Sequence, residues 1–303
     1  MRIEKKAALV ASTVAFILLV IKLITAIISG SVAIFASAID SLLDIAISIF
    51  NYFALHTSDK EADARFNYGR GKIEAIAAVI EGVLIIISGL YIFYLSIDKI
   101  IHNAIPQYID LSMYVMLVST ALTLALVLFL LHIAKTTHSL VIKADALHYK
   151  ADLLSNIGIL FSLGIIYLTN WYIIDAIVGI IIAIYIIYSA YALLKEGILM
   201  LLDVALEPEI VEQIEEAISS QNEVTSFHWL KTRRSGHDVF VNVHIVFNHE
   251  ISLVRAHVIS ERVDAKIEAI DPKLNWSINI HLDPYDDSQT IKQNCPLISS
   301  LRY

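Results

Sequence analysis

The chain is 303 residues long and 57% hydrophobic, with a mean hydropathy of +0.69, which is too apolar for a water-soluble protein of this size. Its formal net charge of −8 argues against a nucleic-acid partner. A single cysteine, Cys295, excludes a disulfide framework and any cysteine-built metal site.

Apolar runs long enough to cross the ~30 Å hydrocarbon core of a bilayer occur six times, at about 7–29, 32–55, 74–101, 111–134, 144–168 and 173–195. The first shows no small-residue cleavage pattern and is long enough to span, so it reads as a membrane helix rather than a signal peptide. Ser29-Gly30-Ser31 joins the first two runs as a tight hairpin, and Thr169-Asn170-Trp171-Tyr172 joins the last two as an interfacial turn with aromatic anchors. Basic residues collect on alternate loops: Arg2, Lys5 and Lys6 at the start, Lys60, Arg65, Arg70 and Lys72 after the second run, Lys135 and Lys143 after the fourth. The positive-inside rule then puts both termini in the cytoplasm.

Two of these helices carry paired ligand-type side chains. Asp40 and Asp44 stand at i, i+4 in the second, and His148 and Asp152 at i, i+4 in the fifth. That spacing puts each pair on one helix face. Ionisable groups inside a membrane helix are costly and mark ion or proton paths. One imidazole and three carboxylates make a four-ligand cage of the kind a divalent transition metal takes. A lone membrane aspartate is as readily a packing residue, but two facing pairs are harder to explain that way. Three carboxylates in a low-dielectric site cannot all stay charged when empty, so metal and protons compete for them. Imidazole titrates nearest neutral pH, which makes His148 the natural switch. Asp145 reads as an interfacial charge in preference to a partner of the cage. Lys22 and Glu81 read as charges that support the bundle, or that pair with each other or with the cage carboxylates.

Past Leu202 the pattern changes. Residues 208–219 form an amphipathic helix with Pro208 at its start. Residues 224–231 and 239–246 are strands, 252–270 a second helix, and 274–282 an alternating strand. The order α-β-β-α-β gives a small α+β sandwich with two helices on one sheet. The expected organisation is therefore a six-helix transmembrane bundle over 1–204, an α+β domain over 205–285 and a loose tail over 286–303. His281 and Asp283 are i, i+2 on one strand and share a face, and His244 on another strand is placed to meet them. His237 and His249 fall in turns and read as surface residues.

The chain resembles the cation diffusion facilitators of the bacterial ferrous-iron/zinc exporter type. The resemblance covers roughly residues 8–285 and rests on Asp40-xxx-Asp44, His148-xxx-Asp152, the loop Tyr68-Gly-Arg-Gly-Lys-Ile-Glu74, and Ile280-His-Leu-Asp-Pro284. It implies six membrane helices, a cytosolic metallochaperone-like domain, a homodimer in the bacterial inner membrane, and export of divalent metal in exchange for protons. It also implies a cytosolic metal cluster of His228, His244, His257, His281 and Asp283, holding zinc or another divalent transition metal, that stabilises the dimer, and a charge interlock between Lys72 and Asp203. The family's exporter type carries a further metal site of one Asp and two His in the loop after the second helix. Here Asp63 holds the Asp position but Phe66 and Arg70 hold the His positions, and a fixed cation repels metal, so that site is expected to be absent.

Zinc is the first expectation for the substrate, with iron, cadmium and cobalt next. Beside it stand a manganese- or iron-preferring exporter and a metal-sensing membrane protein that transports nothing. An intramembrane metalloprotease is disfavoured: His249-Glu250 is followed by Leu253 where the second His of His-Glu-x-x-His is required. The chain is read as a transporter, not an enzyme.

Overall fold

The computed structural model describes residues 3–29, 32–102, 110–169, 171 and 173–286. It divides into two compact units, Met1–Leu201 and Leu202–Tyr303. Gly30, Ser31, Asn170 and Tyr172, which belong to the two expected turns, lie outside the described residues, as do Arg2 and residues 287–303 of the expected tail.

The first unit is six helices: α1 (Ile3–Ser29), α2 (Val32–Ser58), α3 (Lys72–His102), α4 (Asp110–Thr137), α5 (Leu140–Thr169) and α6 (Ile173–Leu201). All six are long and apolar enough to cross a membrane. In hydrocarbon a helix satisfies its own backbone groups, which is why these runs adopt no other form. Several helices outrun the apolar stretch that predicts them, because polar interfacial residues continue the hydrogen-bond ladder. Between α4 and α5 the chain turns sharply: His138 takes φ 53°, and the Ser139 hydroxyl accepts from the Ile142 N–H at 3.4 Å, as a cap does.

Small residues set how closely these helices approach. Ala7, Ala8 and Ala11 of α1 are fully buried among Leu130 of α4 and Tyr149 of α5. Along α3 and α6 the small residues recur every seven positions: Gly82 and Gly89 on one helix, Ala183, Ala190 and Gly197 on the other. A Cβ built at Gly89 would stand 2.7 Å from Ile187 Cγ1 and 3.5 Å from the Ala183 carbonyl oxygen. Without a hydrophobic drive between helices in lipid, such close contact is what holds them. Large apolar side chains, among them Phe16, Phe53 and Tyr91, face outward as lipid-facing residues do.

The second unit contains α7 (Pro208–Ser219), β1 (Val224–Ser235), β2 (Asp238–Phe247), α8 (Leu253–Glu268) and β3 (Asn275–Asp283). The sheet order is β1-β2-β3, with β1 and β2 antiparallel and β2 and β3 parallel. Val239, Val241, Val243, Ile245 and Phe247 alternate along β2 and pack with Ile214 and Ile218 of α7 and Ile259, Val263 and Ile267 of α8. Both helices therefore cover one face of the sheet. The intervening residues of β2, His244 among them, lie on the other.

Candidate metal centres

In the first unit α2 and α5 bring three ligand-type side chains together. His148 Nε2 lies 3.0 Å from Asp44 Oδ1 and 3.8 Å from Asp152 Oδ2. One donor atom from each of the three falls within 4.8 Å of the others. The side chains of Asp44 and His148 are mostly shielded, while that of Asp152 is 44% exposed. Asp40, one turn before Asp44, is exposed and stands outside this group of three. It still faces the same side of α2 as Asp44.

The triad is the first rung of a polar seam between α2 and α5. Asp44, Ser48 and Asn51 occupy i, i+4 and i+7 on α2. Opposite them, the Ser48 and Tyr149 hydroxyls share a hydrogen bond at 2.9 Å. Asn51 Nδ2 donates to Asp145 Oδ1 at 3.4 Å and to Glu81 Oε2 of α3 at 2.9 Å. Asp145 is completely buried, so the expectation of an interfacial charge is corrected: its place is inside the bundle, one turn from His148 on α5. Glu81 accepts from Asn51, whereas Lys22 interacts through its charge with Asp44, Asp152 and Asp40. The Lys22 ammonium donates to Ser41 Oγ at 2.8 Å and to the Ser37 carbonyl at 3.3 Å, tying α1 to α2.

In the second unit a row of histidines crosses the sheet. His228 pairs in register with His244, and His244 with His281. The rings follow, with centroids 5.1 Å apart for the first pair and 4.5 Å for the second. Asp283 anchors the row: His244 Nδ1 lies 2.8 Å, His281 Nε2 3.1 Å and His228 Nε2 3.5 Å from its carboxylate. His228, His244 and Asp283 bring donor atoms within 4.8 Å of one another. A β-bulge between His228 and Lys231 sets Trp229 at φ 53°, with its ring edge-on to both His228 and His244. A bulky residue in that conformation is strained, and such strain collects at functional sites. Borderline-soft imidazoles with one carboxylate fit zinc. His257, on α8, is 66% exposed and lies 3.8 Å from Glu261, outside the group of three.

In the loop after α2, Asp63 is engaged by its own neighbours. Asp63 Oδ1 accepts the N–H groups of Arg65 and Phe66, and Arg70 donates to Asp63 Oδ2 at 2.5 Å. The Arg70 guanidinium also covers the Phe66 ring at 4.3 Å. The Phe66 and Arg65 amides and the Arg70 cation hold the Asp63 carboxyl below the usual carboxylate range. Of the interlock pair, the Lys72 ammonium donates to the Leu201 carbonyl at 3.2 Å, and Asp203, at φ 57°, pairs with Arg233 at 3.3 Å.

A family model described as the cation efflux transmembrane domain matches residues 8–202, and one described as the cytoplasmic domain of cation efflux proteins matches residues 206–285. The chain belongs to the cation diffusion facilitator family. The cation-efflux pump FieF of Klebsiella pneumoniae subsp. pneumoniae is 34% identical to it over 283 residues, 93% of each chain. The pumps of the same name from Citrobacter koseri and Escherichia coli (strain K12 / DH10B) are 34% and 33% identical over the same length. A solved structure of CzrB, described as a candidate zinc transporter, is similar over 26% of this chain and 99% of its own, at 26% identity and a TM-score of 0.24.

A member of this family is a multi-pass cation efflux transporter, and its relatives are named as pumps rather than enzymes. Sequence reasoning passed over Ser48, Asn51, Tyr149 and Trp229. The first two were legible as a polar stripe at i+4 and i+7 from Asp44 in an apolar helix. The bulge that aims Trp229 has no such signal.

Proposed function

We propose that this chain exports divalent transition-metal cations, zinc first, from the bacterial cytoplasm in exchange for protons, as a homodimer in the inner membrane with both termini cytoplasmic. The convergence of Asp44, His148 and Asp152 from two helices carries the reading. A zinc ion takes four ligands. Asp40 is the fourth, drawn in from one turn away when metal supplies the charge to hold it. An empty cage of carboxylates must be neutralised, and protons and metal serve that need alternately, which makes the exchange obligatory. Iron, cadmium and cobalt suit the same donors less distinctively. The His228, His244, His281 and Asp283 row holds zinc as a structural ion of the cytoplasmic domain and strengthens the dimer, and His257, the fifth candidate, stands apart from it on α8.

The test is a metal-competition panel on purified protein in proteoliposomes with an entrapped pH dye. Zinc flux accompanied by opposite proton flux is expected, with manganese a poor competitor. Binding without flux would sink the transport reading in favour of a sensor, and flux without proton movement would sink the coupling.

A further inference from the structure

The polar seam between α2 and α5 does not end at the triad. Two rungs further on, Asp145 and Glu81 are 0% and 1% exposed, and Asn51, 0% exposed, bridges them with its amide. By helix rise this lies ~10 Å along α2 from Asp44, seven residues on. The local supply of hydrogen-bond donors falls short. The one Asn51 NH₂ serves both carboxyls, while Glu81 Oε1, Asp145 Oδ2 and the Asn51 Oδ1 itself are buried with no hydrogen-bond partner among the described residues. Each such orphan is costly, and two buried carboxylates side by side are costlier still.

The charged and titratable groups around the pair do not resolve this. From α5 and α2 the pair faces His148 and Asp44 of the triad, and Tyr149, whose hydroxyl is engaged with Ser48. His148 is one imidazole already shared between Asp44 and Asp152. Of the ionisable groups of α6, Asp175 is engaged with Lys99, Tyr185 with Lys150 and Glu196 with Lys143, while Tyr188, Tyr191 and Lys195 are exposed. On α4, His132 and Lys135 sit near its loop end, and on α1 the Lys22 ammonium is held by Ser37 and Ser41.

We propose that Glu81 and Asp145, bridged by Asn51, hold one proton between them and form a proton-binding site separate from the metal triad, exchanging protons with it along the Ser48–Tyr149 rung. A shared proton supplies the missing donor and leaves the pair one negative charge instead of two. On transfer, each hydroxyl of the rung accepts one proton and releases its own, so one proton moves and the rung is restored. The exchange part of the proposal rests on the proton-coupled reading; the proton site itself does not.

The experiment uses the full chain in lipid, with zinc saturating so that the triad carboxyls are ionised by metal. Infrared spectra at pH 7.5 are expected to show a protonated-carboxyl C=O band that is lost in Glu81→Gln and in Asp145→Asn, at unchanged zinc stoichiometry. The pH of half-maximal zinc flux should move by about one unit in both variants, as expected when one of two coupled groups is removed. Glu81→Asp should restore it, which a merely structural role would not predict. No such band in the wild type, an unchanged band in both amide variants, or an unmoved pH profile overturns the proposal. Loss of one zinc per protomer in the variants overturns it too, by making the pair a metal site. Should the variants fail to fold, ¹³C-carboxyl glutamate and ¹³C-carboxyl aspartate, each introduced into the unmutated chain, decide, since the band must shift with one label or both. Zinc flux without proton counterflux in the wild type counts against the exchange step, while the infrared band alone decides the proton site.

Discussion

At the scale of single residues, the transport triad is a matter of charge and donor type. Asp44→Ala or Asp152→Ala removes a charged ligand from a four-coordinate ion and is expected to lower zinc flux ~10²-fold or more, with folding intact by size exclusion and circular dichroism. Asp40→Ala should cost less, because Asp40 stands outside the group of three before metal arrives. Asp63→Ala should leave flux within about twofold, since Arg70 already occupies its carboxylate and an exposed ion pair contributes little. Equal losses for Asp63 and Asp44 would show that the loop does bind metal. His148→Asp replaces the only imidazole of the cage by a harder oxygen donor. Manganese should then gain on zinc by about tenfold in competition for flux, and an unchanged ratio would remove His148 from the ligand set.

Among the elements, packing decides which helix faces meet, and the seam of small residues between α3 and α6 is the clearest case. Leucine at position 89 must displace Ile187 and press on the Ala183 backbone, so Gly89→Leu is expected to destabilise the bundle by ~1–3 kcal/mol. Gly82→Ala is the control, because its Cβ would meet the Ala190 oxygen and Leu194 at 3.7 Å, an ordinary contact. Thermal unfolding in detergent should separate the two; equal behaviour would mean the helices are not held this closely. In α8, burial pushes the Asp264 carboxyl up to about 6, the like charges of Glu261 and Glu268 add to it, and His257 opposes it. An unfolded aspartate titrates near ~4. The native state therefore binds the proton more tightly, and this favourable contribution is present below ~4 and lost as pH rises through about 6. Asp264→Asn should be more stable than wild type by ~1 kcal/mol at pH 7.5, after allowing for solvent screening, with the gap closing towards pH 4. Denaturant titration followed by Trp229 and Trp276 fluorescence reads it; a gap independent of pH would assign the effect to something other than this charge.

For the whole molecule, the proposed dimer is where metal at the histidine row is expected to tell. Zinc at the histidine row contributes to the proposed dimer by mass action, as any ligand of the assembled form does. Stripping metal with a chelator should weaken the dimer of the full chain in detergent, and His244→Ala should mimic stripping with zinc present. Analytical ultracentrifugation checks both, and a dimer indifferent to each would confine the cluster to its own domain. Trp229, edge-on to His228 and His244, should report zinc binding by a change in fluorescence.

The amino-acid sequence alone determined the six spans, because hydrocarbon leaves an apolar run of that length only one backbone solution. It likewise determined the α-β-β-α-β order, since the hydrophobic period switches visibly from 3.6 to 2 along residues 208–282. The pairs Asp40/Asp44 and His148/Asp152 were legible because i, i+4 spacing is local. Tertiary structure decided what depends on a neighbour's surface. Asp145 looks interfacial in sequence, near the start of an apolar run, yet α2 and α3 close over it. Of the five cytoplasmic ligand candidates, strand register brings four to one row, and α8 carries His257 away from it at an exposed site. The meeting of Glu81 with Asp145 joins residues 64 apart on α3 and α5 through Asn51 of a third helix, and no one-dimensional period encodes a contact among three helices.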